Sequence, residues 1–381
     1  MRIIIYNSSS FGGCFDYGKA LAKNYQSEPS IASVEWWIPV NGQSEPGLVC
    51  RQRFVSDKPG FRSRWKKQLH FLFRVLANPL ILAKHLLKEK PSWLIFNDFE
   101  QLSAFIWVPV FSILFRNKHK FAIILHDPDR DAYPPGLWFT HWSMKKIMGL
   151  MQVAIYHDFL PEKPYYQNKE TCIYLDLPHG FYSMPGPDKK LLARLSPYHT
   201  EGGTLMAILG NIRQEKNYDL AIEALAHLPG HYLIIAGKAS NTRVNVGAYK
   251  ELASRLKVSD RIIWIERFLS GEELSAVIEA ADVILLNYGA SFTSQSGILN
   301  SVAPFRKELI VSDGPSSLAS IIKRFGVGQL VQPGSVDSLV EGLKILENEA
   351  GEMQSRWDDY LAYASWENHV KKACRVFSSL S

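Results

Sequence analysis

Cysteine is scarce and scattered. The four in 381 residues, Cys14, Cys50, Cys172 and Cys374, lie far apart, with no metal-ligand spacing among them. That usage excludes a disulfide scaffold and predicts reduced thiols in a cytosol. Also missing is any apolar run of the roughly 20 residues that a bilayer span needs; the longest, Leu102–Phe115, predicts a buried helix. The chain runs straight from Met1 into an expected strand, Arg2–Tyr6, and a turn at Asn7–Gly13, unlike a secretory leader. Internal repeats and low-complexity tracts are lacking too. A soluble, cytoplasmic protein is therefore expected. Apolar content of 46% excludes disorder, and the length predicts two domains.

Charge is unevenly placed. The net charge is +6, yet residues 51–90 alone hold eleven Lys/Arg against Asp57 and Glu89, a net of +9 that leaves −3 for the rest. Trp65, Leu69, Phe71, Leu72, Phe73, Val75, Leu76, Leu80, Ile81 and Leu82 interleave with those cations. A helix of this kind lies on anionic lipid, cations at the headgroups and apolar side chains at the acyl boundary. Arg62, Arg64, Trp65, Lys66 and Lys67 are the expected membrane contacts, on the inner face of the plasma membrane. A core-facing helix with a solvated basic face reads the same way, and Pro79 divides the stretch. No nucleic-acid-binding motif accompanies the charge, so no nucleic-acid partner is expected.

The C-terminal half carries the most regular pattern. Leu205–Leu209 is an apolar run, Gly210 breaks it, Arg213 and Lys216 follow, and Asp219–Leu228 takes helical spacing. A glycine just past a strand, with cations at the mouth of the next helix, is how α/β sheets hold phosphates. Further crossover units follow: strand His231–Ala236 with Gly237 and Lys238, strand Ile262–Glu266, helix Gly271–Ala281 and strand Val283–Tyr288. The N-terminal half alternates as well. Strands are predicted at Arg2–Tyr6, Val34–Val40, Ser92–Phe96, Phe121–Leu125, Val153–Tyr156 and Cys172–Leu175, with Phe11–Gly18 a loop feeding helix Lys19–Tyr25. Asn97-Asp98, His126-Asp127 and Pro178-His179-Gly180 stand at strand ends, where open α/β sheets bind ligands.

Taken in order, Gly210-Asn-Ile-Arg-Gln-Glu-Lys-Asn217, Ile235-Ala-Gly-Lys238, Ile284-Leu-Leu-Asn-Tyr288, Pro178-His-Gly180 and Ser365-Trp-Glu367 resemble the GT-B glycosyltransferases, closest to their retaining group 1, or family 4. The resemblance covers most of the chain. It implies an α/β fold of two Rossmann-like domains facing each other across a cleft. Residues 1–185 would form the acceptor-side domain, 186–203 a linker, 204–362 the nucleotide-sugar domain, and 363–381 a helix crossing back.

The resemblance implies donor contacts at Gly12, Gly13, Arg213, Lys216, Gly237, Lys238, Tyr288, Ser294, Ser296, Gly297 and Asn300. Lys216 matches the family's phosphate lysine; Asn211 replaces its partner arginine, leaving Arg213 as a substitute two residues on. The largest departure is Gly289–Ala303, which has no acid where the family usually places two glutamates eight positions apart. Asn300 falls near the second, which grips ribose, and the loss puts a retaining outcome in doubt. His126 matches a histidine that contacts the donor sugar. Asp16 is a candidate general base for an acceptor hydroxyl, or an N-cap. Asp127, Asp129 and Asp131 invite a metal reading, but the GT-B pattern implies no bound metal and no cofactor beyond a nucleotide-diphosphate sugar, UDP- or GDP-linked, as co-substrate.

The expected activity is glycosyl transfer to a hydroxyl of a lipid-linked or saccharide acceptor, in cell-surface polysaccharide or glycolipid assembly. Two alternatives stay open: a sugar-nucleotide 2-epimerase of the same fold, and a non-catalytic binding protein.

Overall fold

Seven short runs in the first half, most of them rich in β-branched and aromatic residues, pair in parallel. The computed structural model describes all residues except 59, 62, 132, 134, 168–169, 199–202, 241–243, 349–352 and 381, and gives only the backbone of 348 and 353–355. In chain order the first half holds β1 (Arg2–Tyr6), α1 (Gly13–Gln26), β2 (Ser33–Pro39), β3 (Val49–Phe54), α2 (Arg64–Leu86), β4 (Trp93–Phe96), α3 (Ala104–Leu114), β5 (Lys120–Ile124), α4 (Leu137–Leu150), β6 (Val153–Tyr156) and β7 (Ile173–Asp176). The sheet order is β3-β2-β1-β4-β5-β6-β7, all parallel. Ile3, Ile4, Ile5 and Trp93–Phe96 are buried on both sheet faces, as parallel strands require.

Strand order reverses between β1 and β4. With right-handed crossovers, α2, α3 and α4 lie on one face of this sheet and α1 on the other. The last helix, α13 (Trp366–Ser379), packs on α1 and belongs to this first unit, which comprises Met1–His179 and Trp366–Ser381. Its Phe377 stacks on Trp93 at 4.3 Å between centroids.

The second unit, Gly180–Ser365, repeats the plan. It contains α5 (Lys189–Leu195), β8 (Leu205–Leu209), α6 (Tyr218–Ala226), β9 (Tyr232–Ala236), α7 (Val246–Arg255), β10 (Ile262–Ile265), α8 (Gly271–Ala280), β11 (Val283–Leu286), α9 (Gly297–Val302), β12 (Glu308–Ser312), α10 (Ser317–Phe325), β13 (Gln329–Val331), α11 (Val336–Asn348) and α12 (Met353–Tyr363). The parallel sheet runs β10-β9-β8-β11-β12-β13, with its switch point between β8 and β11.

Three expectations change. Phe11–Gly18 is not all loop, because α1 begins at Gly13; within the helix, position 18 is held by glycine because a Cβ there would sit 2.2 Å from Asn7 Oδ1. Residues 186–203, read as a linker, carry α5 where they are described, and Leu191 and Leu195 enter the second core, so an amphipathic turn binds this segment to the second unit. The edge strands β3 and β13, and β12, are additional; in β3, Arg51 faces out and the alternation hides among cations.

Candidate functional site

In the second unit the switch point is built from backbone closeness. β8 ends at Leu209, and Gly210 follows with φ +86°. Gly210 donates its N–H to Ala236 O, and Gly237 donates to Ile265 O, each at 3.0 Å, joining the end of β8 to β9 and that of β9 to β10. Lys216 folds back from a short 3-10 turn, Gln214–Lys216, and donates from Nζ to Leu209 O. It is 5% exposed, and burial, helped by the Arg213 charge, pulls its pKa down to about 7. Arg213 itself is exposed.

β11 closes the other side. Asn217 and Asn287 donate side-chain N–H groups to each other's backbone carbonyls at 3.0 Å, and Gly289 N–H reaches Glu215 O at 2.9 Å. The loop before α9 is thereby tied to the lysine turn. Ile298 of α9 lies over Gly210, 3.1 Å from where a Cβ would be. Phe292 stacks on Tyr288 at 4.0 Å and 9°.

In the first unit, polar groups gather at the carboxyl ends of β1, β4, β5, β6 and β7. Asp98 accepts from the N–H groups of Ser8 and Ser9 and from Ser9 Oγ; Asp57 accepts from Ser10 N–H and Oγ and from Asn41. Together they pin the serine loop after β1. Tyr6 donates to Glu100, whose pKa burial and then the Asp98 charge raise to about 8. The His126 pKa is lowered to about 3 by burial and by His157, and its Nε2 lies 3.1 Å from Asn97 Oδ1. That amide oxygen is free to accept because Asn97 Nδ2 donates to Cys14 O, so His126 carries its proton on Nε2.

Tyr17 of α1 is the hub of a ring cluster. His126 lies 4.6 Å from it, His179 4.8 Å, Trp366 5.1 Å, His157 5.5 Å and His369 6.3 Å, between centroids. His157 Nδ1 donates to Leu177 O at 2.7 Å and His369 Nδ1 to Pro178 O at 2.9 Å. Burial holds both rings neutral, with pKa values lowered to about 4 and about 3.

Comparison with known proteins identifies the fold and one matching segment. Residues 196–362 match the model for glycosyl transferases group 1. Solved structures with the same fold include sucrose-phosphate synthase from Thermosynechococcus elongatus, with TM-score 0.72, 13% identity, and coverage of 100% of this chain and 98% of that one. The Anabaena protein HepE with UDP bound scores 0.70 at 13% identity, covering 100% and 99%. WaaG, a glycosyltransferase of lipopolysaccharide biosynthesis, scores 0.63 at 14% identity, covering 99% of each chain. No curated protein matches the chain in sequence. The chain has the GT-B fold, and its second unit is similar to the group 1 glycosyl transferases.

Within that GT-B frame the expected residues separate. Lys216, Gly210 and Gly237 converge on one end of the second sheet, with Arg213 and Lys238 exposed beside them. Gly12 and Gly13 are exposed at the start of α1. Three donor-site expectations are corrected. Asn300 is fully buried, its Nδ2 given to Ser296 O and its Oδ1 taken by Tyr360 OH, so it pins α9 rather than facing ribose. Tyr288 and Ser296 are buried and hydrogen-bond each other at 3.1 Å. Those side chains build the loop's scaffold, while Ser294 and Gly297 remain partly or fully accessible.

Asp16 is exposed, in the first turn of α1 rather than at its N-cap, which is Gly12. Burial of one side raises its pKa, against the pull of Lys19. Asp129 and Asp131 ion-pair with Lys163 at 3.0 and 2.6 Å, and Asp127 accepts from Tyr133 OH at 3.2 Å. Arg64, Trp65, Lys66 and Lys67 are exposed at the start of α2, whereas Arg62 lies outside the described residues. Sequence reasoning missed the bond from Asn97 to Cys14 O, Glu100 and the His157–His369 pair. Asn97-Asp98 at a strand end was the available signal for the first; α13 gave none for the last.

Close approach makes Gly237 the most sensitive glycine. A Cβ there would lie 1.9 Å from Gly210 O, a backbone atom that cannot move without breaking the β8–β9 join. Gly237→Ala is expected to cost about 3 kcal/mol, the upper range for overpacking. Urea denaturation of the variant at pH 7.5 checks this, and an unchanged midpoint refutes it.

Proposed function

We propose that the protein transfers a sugar from a nucleotide-diphosphate donor to a hydroxyl acceptor. The observation carrying this reading is Lys216, buried at the end of β8 with its ammonium beside Gly210 at the sheet's switch point. Cleaving the sugar–phosphate bond places growing negative charge on the leaving diphosphate. A desolvated cation aimed there favours the transition state over the ground state. Exposed Arg213 supplies a second charge, and the backbone at Gly237–Lys238 the nucleoside contact. HepE binds UDP in the same fold, which favours a uridine donor.

On the first unit, Asp16 is exposed and its pKa is raised, as suits a base for the acceptor hydroxyl. Neutral His126 is an Nε2–H donor already committed to Asn97, which leaves Nδ1 to accept from a sugar hydroxyl. The acceptor is a lipid-linked or saccharide intermediate at the inner face of the membrane, with Arg64, Trp65, Lys66 and Lys67 as contacts. WaaG's role in lipopolysaccharide assembly supports that setting.

A second reading has its own observation: the acid-free Gly289–Ala303 loop, whose Tyr288, Ser296 and Asn300 neighbours are spent on each other. It makes the chain a non-catalytic binding protein. Thermal stabilisation by UDP, GDP, ADP, CMP and TDP separates the two. A selective shift with one diphosphate is expected, since a ligand bound only by the folded state raises the midpoint. Asp16→Asn should keep the shift while turnover falls. No shift with any nucleotide at millimolar concentration gives the second reading the better claim.

A further inference from the structure

Helix α2 is exposed in a manner unusual for a soluble domain. Trp65, Leu69, Leu72, Leu76 and Leu80 recur at spacings of four, three, four and four, so they share one stripe, and every one of them is exposed. At 1.5 Å per residue the stripe is about 22 Å long. The buried Val75, Asn78, Pro79, Leu82 and Leu86 lie on the neighbouring face, turned into the core. Lys66 and Lys84 flank the stripe on its other side, both exposed.

The next helix carries a second stripe. α3 packs against α2, and its sequence Ala104–Leu114 has no charged residue. Trp107, Val108 and Phe111 point into the core, while Phe105, Pro109 and Ile113 recur every four residues on the outside, Ile113 at 80% exposure. α2 has no acid either, and the nearest one in sequence, Glu89, is ion-paired with Arg2 and Arg53. Exposed apolar faces of this extent mark interaction surfaces. Among the described residues no helix is long and apolar enough to cross a membrane.

We propose that the adjoining outer faces of α2 and α3 form a single surface that inserts into the interface of an anionic bilayer. Apolar stripes rimmed by cations, with no acids, fit the acyl boundary below negatively charged headgroups. The inference deepens the membrane side of the proposed function: contact extends past the basic start of α2 onto an uncharged helix, so insertion rather than charge alone holds the protein.

The test is co-sedimentation of the full chain with phosphatidylglycerol–phosphatidylcholine vesicles, at 0.1 and 1 M NaCl. Two variants are compared: Leu69→Glu/Leu72→Glu/Leu76→Glu on α2, and Phe105→Glu/Ile113→Glu on α3. All altered positions are exposed, and unchanged circular dichroism and melting midpoints confirm folding. The wild type should bind, keep a measurable part of that binding at 1 M NaCl, and lose about tenfold in affinity with either variant. Absence of vesicle binding, complete release by salt, or an α3 variant that binds like the wild type each overturns the proposal. So does concentration-dependent dimerisation, seen by sedimentation velocity, that both variants abolish while vesicle binding persists. The nucleotide-induced shift is recorded on the same samples, so failure of the donor reading is scored separately.

Discussion

Lys216→Met should abolish stabilisation by nucleoside diphosphates and yet leave the protein more stable than the wild type. The two effects share one cause. The Lys216 ammonium is buried, its Nζ donating to a single carbonyl, Leu209 O, so the fold carries a desolvated charge. Burial lowers its pKa from the ordinary lysine value to about 7. Between pH 7 and 10.5 the unfolded chain therefore binds the extra proton, and wild-type stability rises with pH across that window. Methionine removes the penalty, which is fully present below pH 7. The variant's advantage should be on the order of a few kcal/mol there and shrink as pH climbs toward 10.5.

For the donor the sign reverses. A diphosphate restores the proton to Lys216, so nucleotide affinity should be highest below pH 7 and fall above it. Loss of this cation should lower kcat/KM by roughly 10²–10³-fold, the cost of removing one group aimed at developing charge. Isothermal titration from pH 6 to 9, on wild type and variant, measures both. A variant that binds nucleotide as the wild type does, or is destabilised at pH 6, removes Lys216 from the phosphate site.

That lysine was legible in the sequence because its surroundings are local. Leu205–Leu209, Gly210 and Lys216 lie within a dozen residues, and a strand, a glycine and a cation in that order leave few other folds open. The parallel sheets were legible for the same reason, since each strand is a short apolar run bounded by polar residues at its carboxyl end. What escaped depends on distance in the chain or on a side chain's second partner. Asn300 reads as an exposed amide until Tyr360, sixty residues on, takes its oxygen. β3 escaped because its alternation is written in Arg51, Gln52 and Arg53 rather than in apolar residues. His157 and His369 are 212 positions apart, and only the packing of α13 on α1 brings them around Tyr17.

Those histidines set the second large expectation: the first unit should lose stability steeply as pH falls from 7 to 5. His126, His157 and His369 are held neutral, with pKa values lowered to about 3, about 4 and about 3, chiefly by burial. In the unfolded chain each titrates near 6.5. The stabilisation of a neutral buried imidazole is complete above that value and drains away as the unfolded state takes up protons that the folded state refuses. Three imidazoles together lose about 5 kcal/mol between pH 7 and 5. Glu100 works in the opposite sense. Its folded pKa of about 8 means the folded state holds a proton that the unfolded chain releases, returning about 2 kcal/mol over the same interval.

The net loss is about 3 kcal/mol, a large share of the 5–15 kcal/mol typical of a domain. Tyr17 and Trp366 pack among these rings, so tryptophan fluorescence should report the transition. Urea denaturation at pH 7 and pH 5 gives the slope. His369→Gln tests the assignment: an amide N–H can serve Pro178 O as Nδ1 does, while one titrating group is removed. The histidine contribution to the slope should then fall by about a third. Glu100→Gln should steepen the wild-type slope instead, because the opposing proton is gone. A slope that neither substitution changes would mean that acid acts elsewhere, and that the cluster around Tyr17 is packing alone.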